Sequence, residues 1–106
     1  MTELTMEQAV QERAVLVGLN ADCFKQEQTA DDESLRELEE LLQTAGGICT
    51  GKVLQNRHTP DPHSFIGEGK AMEVRQLVEA TASTMVVFDN ELSPGNIRAL
   101  EGYGIK

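Results

Sequence analysis

Apolar residues along this chain fall into two alternating rhythms. R-A-V-L-V-G-L-N, Arg13 to Asn20, is an unbroken short apolar run rich in valine and leucine. Such a run reads as a strand buried on both faces. Residues 21–30 are polar and read as a loop. In D-D-E-S-L-R-E-L-E-E-L-L-Q-T-A-G-G the leucines 35, 38, 41 and 42 and Ala45 recur at helical spacing on one face. Ser34 and Glu37 stand at capping-box spacing, and Asp31, Asp32 and Glu33 suit the positive end of a helix dipole. Gly46 and Gly47 end the helix by supplying a left-handed cap. Ile48 to Arg57 reads as a second strand. T-P-D-P-H, Thr59 to His63, is a turn, because each proline disfavours helix in the residue before it. S-F-I-G then reads as a short extended piece.

A second amphipathic helix follows in E-G-K-A-M-E-V-R-Q-L-V-E-A-T, with Ala71, Val74, Leu77, Val78 and Thr81 inward. Thr84 to Asp89 is a third buried strand. Ser93 is an N-cap with Pro94 at the first helical position, and Gly102 or Gly104 closes that helix. Strands alternating with amphipathic helices indicate an α/β domain: an open, mostly parallel sheet flanked by helices. The alternation stops at Ile105 and Lys106, where a further strand is expected. The chain therefore reads as a piece of something longer, truncated near its final strand. Residues 1–11 show neither rhythm and are expected to be a disordered extension before a domain at 12–106.

Composition narrows the function classes. The 106 residues allow one domain and one modest core, and 40% are hydrophobic, as in ordinary globular proteins. The net charge of −9 repels a phosphate backbone, so unaided nucleic-acid binding is not expected. No apolar run is long enough to cross a bilayer, and the N-terminus lacks the basic and apolar regions of a signal peptide. Cys23 and Cys49 form no C-x-x-C, which fits reduced thiols in a cytoplasm.

Four stretches carry candidate chemistry. G-G-I-C-T-G-K-V, Gly46 to Val53, opens like a phosphate-binding loop, but Val53 replaces the hydroxyl residue that holds Mg²⁺. Its order is also reversed, helix before strand, whereas a true loop leads from strand into helix. F-I-G-E-G-K-A-M-E-V, Phe65 to Val74, has the better polarity. Backbone amides near Gly67 and Gly69, with Lys70 beside them, are a candidate anion site; the plainer reading is a tight turn and helix start. Asp89 and Glu91 lie at the carboxyl end of the third strand, the sheet edge where open α/β folds place ligands. They are a candidate cation pair, or simply acids favoured by the next helix dipole. His58 and His63 flank the T-P-D-P turn with Asp61 between them, but with only Cys49 as a further donor they make no metal site. No residue pattern marks an activated nucleophile, so no catalytic residue is assigned.

Three stretches taken together point to a family: E-R-A-V-L-V-G (Glu12 to Gly18), P-D-P-H-S-F-I-G-E-G-K (Pro60 to Lys70) and V-V-F-D-N-E-L-S-P (Val86 to Pro94). In order and spacing they resemble the N-terminal domain of the HflX family of ribosome-associated, translational GTPases, over roughly residues 12 to 106. The resemblance implies an α/β domain followed by a helical segment and a GTPase domain. It implies GTP and Mg²⁺ chemistry in that absent domain only, since this chain has no complete phosphate loop, no D-x-x-G and no N-K-x-D. It also implies a cytoplasmic protein that binds the large ribosomal subunit and splits or rescues stalled ribosomes. The acidic balance departs from a ribosome-contacting surface and assigns RNA contact to the missing parts. On this reading the chain is a non-catalytic accessory domain, meeting helical and GTPase domains of its own protein and, where a sheet edge is left open, a second copy of itself. The alternative is a stand-alone α/β ligand- or nucleotide-binding module using Gly67, Gly69, Lys70, Asp89 and Glu91.

Overall fold

A computed structural model describes residues 12–25 and 29–105. The expectation for residues 1–11 lies outside that range. Among the described residues three strands and three helices alternate: β1 (Arg13–Ala21), α1 (Asp32–Thr44), β2 (Ile48–Arg57), α2 (Glu68–Ala80), β3 (Met85–Phe88) and α3 (Pro94–Gly102). All three strands are parallel, in the order β2-β1-β3. A parallel sheet needs both faces covered, and β1 shows why its apolar run has no polar alternation. Val15, Val17, Leu19 and Ala21 pack on one side with Phe65, Ile66, Ala71, Val74, Leu100 and Ile105. Ala14 and Leu16 pack on the other with Leu35. Thus α1 covers one face, and α2 and α3 cover the other. The β1–β2 register slips once, between Ala14 and Val15, leaving Thr50 as the extra residue of a bulge.

All three helices end in the same way. At α1, Gly46 N donates to Gln43 O and Gly47 N to Leu42 O, with Gly46 at φ +92°. At α3, Gly104 N donates to Glu101 O and Ile105 N to Leu100 O, with Gly104 at φ +85°. These are Schellman caps, in which the left-handed residue lets two backbone N–H groups turn back onto otherwise open carbonyls. At α2 the same bonds run from Ala82 to Glu79 and from Ser83 to Val78, but the left-handed residue is Ala82, at φ +52°.

Three local expectations are corrected. The N-cap of α1 is Asp31, not Ser34: Asp31 Oδ1 accepts from Ser34 N at 2.7 Å, and Ser34 Oγ accepts from Asp31 N at 2.9 Å. Ser34 is therefore the third helical residue of the box, and Glu37 takes no part in it. The S-F-I-G piece is a tight turn rather than an extension, because Asp61 and Phe65 exchange backbone bonds of 2.8 and 2.9 Å and Phe65 lies at φ +69°. Ile105 is in no strand among the described residues; it is 3% exposed, closes the α3 cap and joins the core. The cap at Ser93 is as expected, with Asn96 completing a reciprocal box and Pro94 at the first helical position.

Candidate functional site

The loops following β1, β2 and β3 all leave the carboxyl edge of the sheet, since the strands run in parallel. β1 and β3 are neighbours, but the chain leaves β1 toward β2. This makes the crevice between their ends the switch point at which α/β sheets hold ligands. Here the crevice is spanned by the protein itself. Asn90 turns its amide onto β1, accepting from Leu19 N at 2.8 Å and donating to Leu19 O at 3.0 Å. The side chain thus extends the β1–β3 ladder beyond Phe88 as a backbone peptide would. Thr29 donates to Asn20 Oδ1 at 2.9 Å at the end of the same strand. Asp89 accepts a short hydrogen bond from Ser34 Oγ, joining the end of β3 to the first turn of α1.

The five candidate ligand residues therefore share a sheet edge but not a face. Gly67, Gly69 and Lys70 stand at the start of α2. Asp89 reaches the other face, where α1 begins. Glu91 is exposed in the loop before Ser93. The turn at α2 is the more ligand-like half. Its N-cap, Gly67, has no side chain to satisfy the first-turn amides. Gly67 N donates to Gln55 Oε1 at 2.9 Å, and a side chain at 67 would come within 2.7 Å of the Arg57 guanidinium. Lys70 is committed to Glu73 at 2.6 Å. Gly69 has open space around it.

The P-D-P-H-S-F-I-G stretch is held by structural bonds. Asp61 Oδ1 accepts from His63 N and Ser64 N, and those two amides hold its carboxyl below the ordinary aspartate pKa. Ser64, 2% exposed, donates to Ile66 O at 2.6 Å. The Phe65 ring enters the core between Phe24, which it stacks on, and Phe88, which it meets edge-on. Asn96 in α3 donates to His63 O, tying this turn to the next helix. Arg13, in the first signature stretch, caps α2 by directing Nε and Nη2 at Thr81 O. Sequence reasoning missed Asn90 and Arg13 as structural anchors. The only signal for Asn90 was its place two residues past the end of β3.

The remaining titratable groups among the described residues form separate pairs. Among the described residues no three His, Cys, Asp or Glu side chains are grouped to hold a metal ion. His58 pairs with Asp22 on the open surface. Burial pushes the Cys49 thiol above its ordinary pKa, the opposite of what a nucleophile needs. Gly46 and Lys52 of the phosphate-loop-like stretch lie at a helix end and within β2, and Lys52 pairs with Glu39 of α1 at 2.8 Å. Of the shallow cavities among the described residues, two are the more open, and the second of them reaches Asn90 at the switch point. One, of about 560 Å³, lies beside His63, Arg98 and Tyr103. The other, of about 410 Å³, runs along the free side of β3 between Val86, Phe88 and Ile97.

Comparison with known proteins decides the family. A family model described as "GTP-binding GTPase N-terminal" matches residues 32–104. The chain belongs to that family, the N-terminal domain of the HflX GTPases. It is 40% identical over 106 residues to GTPase HflX of Lacrimispora saccharolytica, covering 96% of this chain and 23% of that protein. It is 41% identical over 90 residues to GTPase HflX of Escherichia coli, covering 85% and 20%. GTPase HflX of Alkalihalophilus pseudofirmus is 33% identical over 89 residues, with 84% and 20% covered. The chain thus spans about a fifth of the length of these relatives, corresponding to the HflX N-terminal domain and not to the GTPase domain. No helix among the described residues is long and apolar enough to cross a membrane.

Proposed function

We propose that this domain is the non-catalytic accessory part of a cytoplasmic HflX-like GTPase that binds the large ribosomal subunit and splits or rescues stalled ribosomes. The observation that carries the reading is the match to the N-terminal fifth of proteins named as GTPases. GTP and Mg²⁺ then belong to the GTPase domain of the longer protein. The role of this domain is to hold the helical segment in place and to modulate the GTPase. With a net charge of −9 it leaves most RNA contact to those other parts. The β3 edge supports a docking role: Met-Val-Val-Phe carries no lysine, proline or bulge, the devices that blunt exposed edges. In the isolated chain the same edge favours pairing with a second copy.

The test is deletion of residues 12–105 from a full-length HflX protein containing this domain. The expected result is retained intrinsic GTP hydrolysis with loss of subunit splitting, read by sucrose-gradient profiles. Unchanged splitting, or GTP hydrolysis by the isolated chain, overturns the reading.

A second reading has one observation in its favour, the uncapped start of α2 beside Arg57 and Lys70. On it, Gly67, Gly69 and Lys70 contact an anion such as a phosphate group. Equilibrium dialysis of the isolated chain with GTP and Mg²⁺ separates the two. The accessory-domain reading expects no binding above background, and micromolar binding would favour the ligand module.

A further inference from the structure

We draw no further inference here: the strongest candidate, the apolar groove along the free side of β3 beneath Ile97 of α3, belongs to the docking edge already described, and nothing in the structure shows what covers it.

Discussion

Replacing Ala82 by glycine should stabilise this domain, although glycine is ordinarily the poorer residue for stability. Ala82 is exposed, so the substitution loses no buried surface. Its φ of +52° lies where Gly46 and Gly104 sit in the two sister caps. An L-residue in that region is strained by roughly 1–2 kcal/mol, because its Cβ crowds the following carbonyl. Glycine relieves this strain but loses about 0.5–1 kcal/mol more backbone entropy on folding than alanine. The balance is a gain of about 0.5–1 kcal/mol. At roughly 4–8 °C per kcal/mol for a domain near 100 residues, Tm should rise by about 2–8 °C. Urea denaturation followed by far-UV circular dichroism gives the free energy directly, with an unchanged slope expected because the buried surface is the same. Two variants of the same chain calibrate the argument. Gly46→Ala and Gly104→Ala should each destabilise by about 1 kcal/mol or more, the latter also crowding Arg75 Nε at 3.3 Å. If Ala82→Gly is neutral or destabilising while Gly46→Ala carries its full penalty, left-handed strain is not what distinguishes the α2 cap.

Other outcomes follow from the same contacts. Asn90→Ala removes both bonds to Leu19 and leaves two backbone groups open at a half-buried strand end; a loss of about 1–3 kcal/mol is expected, and a change below the error of urea titration would show that water replaces the amide freely. Asp61 has its folded pKa depressed by the His63 and Ser64 amides, so its contribution is present above the unfolded value near pH 4 and is lost as pH falls through the folded value. Asp61→Asn should therefore flatten the acid limb of a stability–pH curve below about pH 4, and an acid limb identical to that of the parent protein would remove Asp61 from the account. The isolated chain should show no retention on large ribosomal subunits at physiological salt, whereas retention that falls steeply with added salt would reveal a basic patch overriding the −9 charge.

Local signals were sufficient for the elements. The unbroken apolar run of β1, the leucine spacing of α1, Ser93-Pro94 and the glycines after α1 and α3 each act within a few residues of themselves. Backbone sterics and side-chain periodicity decide such features without distant partners. The reversed order around Gly46 to Val53 was legible for the same reason. The P-D-P-H-S-F-I-G and V-F-D-N-E-L-S-P stretches were legible as signatures, but their meaning was not.

What the residues of those signatures do depends on strand order and on the faces that α1 and α2 cover. The spacing pointed to Ser34 as the N-cap, but the cap is Asp31, and Ser34 instead completes its box and reaches Asp89, 55 residues away. Phe65 adopts a backbone conformation that its own sequence disfavours, because the space between Phe24 and Phe88 accepts its ring. Asn90 follows β3 in the chain, yet it is bound to β1. Asp89 and Lys70 share one sheet edge, but the crossover that puts α1 and α2 on opposite faces keeps them apart. Pairings of this kind join residues tens of positions away, and no local rhythm encodes a register that exists only once the three strands lie side by side.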